Sequence, residues 1–215
     1  MWTLPNVLTV ARILITPVVA LLPFIEGYWP KLVALVVFII ASLSDVWDGR
    51  LARSRNQVTD LGKLLDPIAD KLLLLATLIP IYWISQERRD LYGIPVWGSI
   101  PLWVCLLLLG RELAMTVFRM YAKARGVIIA AGRSGKLKTT VQAIFIGATI
   151  AWFAFRDAVR PMGWEHNRFA RLWTQFHGGL VAVTLAGALF VTLYSFAVYL
   201  YRNRALFNNT PSRPD

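Results

Sequence analysis

The chain has 215 residues, of which 57% are apolar and 16% charged, and its formal net charge is +11. The apolar share exceeds the about 45–50% of a soluble globular domain, and runs such as Leu32 to Leu43 and Leu180 to Leu200 would leave such a domain with large exposed apolar patches. Lys and Arg flank the apolar runs instead of lining a polar module, which argues against a nucleic-acid partner and for anionic headgroups and phosphorylated substrates.

A hydrocarbon core of about 30 Å takes about 20 apolar helical residues per crossing. By that measure six transmembrane helices are predicted, at approximately 7–25, 32–52, 63–84, 95–120, 138–156 and 174–201, in an all-α integral membrane protein. Pro17 and Pro23 interrupt the first, and Arg111 and Glu112 lie toward the end of the fourth. The N-terminus lacks the basic region and small-residue cleavage site of a signal peptide, so the first stretch is expected to be retained. Cys105 stands alone in an apolar run, excluding a disulfide framework or a cysteine metal site. Residues 1–202 read as one catalytic domain, and 203–215, polar with two prolines, as a disordered tail.

Orientation follows from the bias of Lys and Arg in short flanks. The flanks that share a side with Arg53, Lys63, Arg119, Lys136 and Arg202 hold more of them than those with Lys31, Arg88, Arg156 and Arg171. The richer face and both termini are therefore expected in the cytoplasm. Trp29, Trp83, Trp97, Trp152, Trp164 and Trp173 fall near span ends, as interfacial anchors do. His166 and His177 fall on the opposite side, with no chemical part expected of them.

Acids inside or beside membrane helices are costly and mark function. Asp45 and Asp48 close the second span, and Asp66 and Asp70 open the third. At about 3.6 residues per turn, Asp45, Asp48, Gly49 and Ala52 share one helical face, and Asp66 and Asp70, one turn apart, share another. Two adjacent helices would then aim four carboxylates at a common volume. Like charges so close do not all stay ionised unaided, and divalent cations would resolve the conflict. Carboxylate and water oxygens suit Mg²⁺ or Mn²⁺, and a pair of such ions suits displacement at phosphorus. Gly49 and Ala52 leave room for a phosphate ester or nucleotide, or serve close helix packing. Arg53 pairs with a phosphate or marks the cytoplasmic flank. Pro67 fits a third helix that begins near Gly62 to Leu65, in whose first turn a proline is tolerated.

Asn6, Thr9 and Arg12 lie within two turns near the start of the first helix, placed to hold a nucleotide or its phosphates; Asn6 after Pro5 is equally a helix cap. A second basic group, Arg111, Arg119, Arg133, Lys136 and Lys138, surrounds the fourth and fifth spans and suits an acceptor that carries a phosphate. Glu112 is placed to orient one of these arginines.

Asp45, Asp48, Gly49, Ala52, Arg53, Gly62, Asp66 and Asp70 fill all eight fixed positions of a signature, and on them the chain resembles the CDP-alcohol phosphatidyltransferase family. Leu4 to Arg12 with Pro17, Leu65 to Leu72, Arg111-Glu112 with Arg119, and Gly135 to Gln142 are similar to the bacterial phosphatidylglycerophosphate synthases of that family. The resemblance covers residues 4 to about 145. It implies a six-helix bundle, often dimeric, in which an alcohol attacks the lipid-bearing phosphorus of CDP-diacylglycerol and CMP leaves. Asp45, Asp48, Asp66 and Asp70 would hold two Mg²⁺ or Mn²⁺ ions, and Asp70 would also be the general base. Asp48, Gly49, Ala52, Arg53 and Gly62, with Asn6, Thr9 and Arg12, would meet CDP-diacylglycerol. The acceptor would be sn-glycerol 3-phosphate, the product phosphatidylglycerophosphate, and the site would face the cytoplasm from the cell's inner membrane. An inositol phosphate, serine or phosphatidylglycerol acceptor is the alternative within the family; a cation transporter or proton relay is the alternative outside it, and no repeated half supports it.

Overall fold

The computed structural model describes residues 3–54, 59–94, 97–125, 133–159, 161–164 and 167–204; of these, the side chains at 46, 48–54, 60, 61, 63 and 133–136 lie outside the description, as do Arg55, Arg160, His166 and the tail from 205. The described residues form α1 (Leu4–Leu21), a 3₁₀ turn (Leu22–Phe24), α2 (Tyr28–Ser54), α3 (Asp60–Glu87), the single turn α4 (Arg89–Tyr92), α5 (Leu102–Ala124), α6 (Arg133–Val159) and α7 (Arg168–Arg202). Their only β pairing is the isolated bridge between Ile94 and Gly98. Four helical stretches, Leu4–Phe24, Tyr28–Asp45, Leu137–Val159 and Arg168–Arg202, are long and apolar enough to cross a bilayer. With 28 and 23 residues, α3 and α5 are long enough as well, but they carry Asp66, Asp70 and Lys71, and Arg111 and Glu112. The chain is an all-α membrane protein.

The amphipathicity of α1 is reversed from that of a water-soluble helix. Its buried face is Pro5, Asn6, Thr9, Arg12, Thr16 and Val19, whereas Leu4, Val7, Leu14, Val18 and Leu21 are exposed. In lipid this is the favourable sense, since polar groups find partners only inside the bundle. Against that polar face pack α2 and α3; α2 in turn packs on α6, where a Cβ on Gly147 would lie 3.8 Å from the side chains of Leu35 and Phe38. The contacts of His177 with Ala148 and of Gly187 with Val141 set α6 and α7 antiparallel. Phe38, Leu78, Val104, Leu108, Phe145, Ile150, Phe153, Val181 and Leu185 fill the shared core.

The long helices other than α5 begin three to six residues before the spans expected for them, and two of the starts have a visible local cause. Thr59 caps α3, its hydroxyl accepting from Gly62 N at 3.0 Å, so the helix begins at Asp60 and Pro67 falls in its interior beside a second internal proline, Pro80. Each proline withholds one backbone donor. The fourth long helix, expected from residue 95, begins at Leu102. Ile94 and Gly98 exchange two backbone bonds of 2.8 Å, Gly98 has φ +64, and Pro101 is extended, a geometry incompatible with helix. The last turn of α3 pins this loop: Gln86 Nε2 donates to Ile100 O at 2.9 Å, and Ile100 N donates to Ser85 Oγ at 3.2 Å.

One end of the bundle is closed by a buried polar network. Asp157 Oδ2 accepts from Lys31 Nζ at 2.6 Å and from Gly27 N at 2.8 Å, and Oδ1 accepts from the Tyr92 hydroxyl. Lys31 Nζ also donates to Ile25 O at 3.0 Å. Burial, aided by the bond to Asp157, pushes the Tyr92 phenol above its ordinary pKa, so it stays a donor. Trp152, expected at the membrane interface, is instead only 2% exposed, with its indole nitrogen donating to Tyr92 O at 3.1 Å. Trp29, Trp83, Trp164 and Trp173 are exposed as anchors would be. His177 is also buried, among Trp152, Phe155 and Trp173.

Removing one partner of a buried ion pair leaves an uncompensated charge, at a cost of about 3–5 kcal/mol. Asp157→Ala should therefore lower the melting temperature in detergent markedly, and Lys31→Met combined with Asp157→Leu should recover much of the loss. A single variant that melts with the wild type would show that the network does not hold this end together.

Candidate active site

The polar face of α1 meets the C-terminal half of α2 and the first turns of α3. Arg12 Nη1 lies 2.7 Å from Asp45 Oδ1 and 3.3 Å from Asp70 Oδ1. Its side chain is 0% exposed, whereas those of Asp45 and Asp70 are 38% and 57% exposed. One turn earlier on α1, Thr9 Oγ1 lies 2.9 Å from Asp66 Oδ1 and 3.1 Å from Pro5 O. Asn6 Oδ1 accepts from the Thr59 hydroxyl at 2.9 Å. Three acids from two helices are thus gathered around one buried polar stripe.

The four-residue spacing of Asp66 and Asp70 puts both on the side of α3 that faces α1. The side chain of Asp48, one turn beyond Asp45, lies outside the description, as do those of Gly49, Ala52 and Arg53. Gly62 is buried where α1 crosses the start of α3: a Cβ there would lie 2.9 Å from Asn6 Oδ1 and 3.2 Å from Thr59 Oγ1. Close approach of two helices accounts for that glycine. Thr59 was not among the residues singled out from sequence, although a threonine just before the helical run is the usual N-cap signal.

The second basic group is partly assembled. Glu112 Oε1 accepts from Arg111 Nη1 at 2.9 Å and from Lys138 Nζ, as expected of an acid that orients an arginine, and Arg111 Nη2 donates to Ser195 Oγ at 3.0 Å. This joins α5, α6 and α7. Lys138 is 5% exposed, Arg119 is exposed, and the side chains of Arg133 and Lys136 lie outside the description. Ser195 had no signal in the sequence; only the packing of α7 brings it here.

The sequence model for CDP-alcohol phosphatidyltransferases matches residues 2–194. The chain belongs to that family. Among similar proteins, one from Mycobacterium tuberculosis (strain ATCC 25618 / H37Rv), named a probable phosphatidylglycerophosphate synthase, is 40% identical over 147 residues, which cover 67% of this chain and 64% of that protein. The match thus spans a little under two thirds of the mycobacterial protein's own length. Two proteins named CDP-diacylglycerol–glycerol-3-phosphate 3-phosphatidyltransferase are also similar. That of Rickettsia typhi is 37% identical over 142 residues, 66% of this chain and 72% of its own, and that of Bacillus subtilis (strain 168) is 35% identical over 162 residues, 70% of this chain and 77% of its own.

In this family member, Gly62→Ala would push the Asn6 amide away from Thr59 and crowd the contact of α1 with the start of α3. Overpacking of this kind costs about 1–3 kcal/mol. The variant should melt below the wild type and lose activity in parallel; full stability and activity would mean that α1 has room to retreat.

Proposed function

We propose that the protein transfers the phosphatidyl group of CDP-diacylglycerol to sn-glycerol 3-phosphate, releasing CMP and forming phosphatidylglycerophosphate. The observation that carries this reading is the gathering of Asp45, Asp66 and Asp70 around Arg12 and Thr9, in a chain whose relatives are named for that reaction. The donor atoms are carboxylate oxygens, which suit Mg²⁺ or Mn²⁺. Among the described residues no three acids, histidines or cysteines converge on one point; the proposed pair of ions is assigned to Asp45, Asp48, Asp66 and Asp70. When bound, such ions neutralise the pyrophosphate and the charge that develops on departing CMP.

The residues divide the remaining work. Asp70, the more exposed of the two acids on Arg12, takes the proton from the acceptor hydroxyl as its oxygen bonds to phosphorus and the bond from phosphorus to the CMP oxygen breaks. Gly49, Ala52 and Arg53 border the cytidine and its phosphates. Arg111 and Lys138, drawn together by Glu112, receive the phosphate of the acceptor with Arg119, Arg133 and Lys136; a guanidinium supplies forked donors for such a group. The acceptors without a phosphate, serine among them, leave this cluster unused. A bundle of six crossings, with both termini and the site on the cytoplasmic face of the inner membrane, keeps the donor's acyl chains in lipid while its headgroup meets the acids. A homodimer completes the proposed assembly.

Purified protein given CDP-diacylglycerol, Mg²⁺ and one acceptor per reaction should release CMP with glycerol 3-phosphate and with none of inositol phosphate, serine or phosphatidylglycerol; silence with all four would sink the reading. Asp70→Asn should abolish turnover, and a near-normal rate would remove it from the base role. Arg111→Gln should raise KM for glycerol 3-phosphate at least about tenfold, the loss of a charge-assisted bond, with KM for CDP-diacylglycerol unchanged. Equal effects on both substrates would place Arg111 outside the acceptor site.

A further inference from the structure

Thr9 and Arg12 approach the acids from the interior of the bundle. The Arg12 guanidinium has no solvent exposure, the two carboxylates it bonds are open to solvent, and its Nη1 donates to Oδ1 of each. Thr9, on the same buried stripe, meets Oδ1 of Asp66 in the same manner. We propose that Thr9 and Arg12 form a buried clamp that fixes the spacing of Asp45, Asp66 and Asp70 from beneath and leaves their outer oxygens to the divalent cation. In this role Arg12 is a positioning residue whose effect reaches the substrates through the acids. The inference rests on the metal-binding reading of the site given above.

Three carboxylates on two helices repel one another, and left alone they would splay toward water. A buried cation between two of them offsets that repulsion and holds their separation before any ion arrives. Partners behind metal ligands act in this way generally, and their loss typically weakens metal binding about 10–100-fold. A cation that merely competed for the same oxygens would have the opposite effect, since its removal would tighten metal binding. The sign of the change therefore separates the two roles.

The test is Mn²⁺ titration of the purified full chain, followed by the electron paramagnetic resonance signal of the free ion. Arg12→Gln should bind Mn²⁺ about 10–100-fold more weakly than the wild type, Thr9→Val should be weakened in the same direction, and Arg12→Lys, which keeps the charge without the fork, should fall between. Saturating Mn²⁺ should restore turnover in Arg12→Lys, which it would not do for a merely misfolded protein. Unchanged or tighter binding in Arg12→Gln overturns the clamp. If that variant fails to fold, Arg12→Lys decides, and wild-type affinity in it overturns the clamp equally. A wild-type protein that binds no Mn²⁺ overturns the metal-binding reading itself, a failure distinct from that of the clamp.

Discussion

The carboxylate end of this bundle depends on one guanidinium without solvent exposure. Arg12 sits on a helix whose outward face is Leu4, Val7, Leu14, Val18 and Leu21, and a charge on such a helix is tolerable only if it turns inward and finds partners. Asp45 and Asp70 are those partners, and they come from two different helices. The requirement that satisfies Arg12 therefore also fixes how α1, α2 and α3 meet. Asn6, Thr9 and Thr16 extend the same stripe, so that α1 acts as a polar seam sealed by lipid on its other side.

The Lys31–Asp157 network works by the same physics with the roles of burial reversed. Both side chains there are nearly inaccessible, at 2% and 7% exposed, and their donors and acceptors are consumed by Tyr92, Gly27 and Ile25. Nothing in that network is left to offer a ligand. At the Arg12 end the cation is equally buried but its acids stay open. The contrast separates a pair closed off between helices from a pair whose acids stay accessible to a ligand.

Local patterns were legible in the sequence, and patterns made by distant packing were not. Asp66 and Asp70 share a face because they are one turn apart, whereas Asp45 meets them through α1, which packs on both α2 and α3. The grouping of Asn6, Thr9 and Arg12 was visible as well, but not the direction they face, which depends on which neighbours α1 finds. Lys31 read as a topology signal since its partner is 126 residues away. Trp152 stands near a span end in the sequence, the place of an interfacial anchor, and only the folded chain brings Tyr92, 60 residues away, against its indole. The late start of α5 needed the bridge at Ile94 and Gly98, a turn too short to leave a periodic trace.

That late start sets the depth of the second basic group. Counting from Leu102, Arg111 lies about 14 Å along a helix of 23 residues, close to its midpoint and far from either end. Arg111 and Lys138 are largely withdrawn from solvent there, with side chains 10% and 6% exposed, and Glu112, Ser195 and Lys138 close around the guanidinium from three helices. An anion reaching this cup must shed its own hydration first. Under the acceptor role proposed for this group, only a ligand whose charge the cup matches would recover that cost, so recess would filter what binds as much as basicity does.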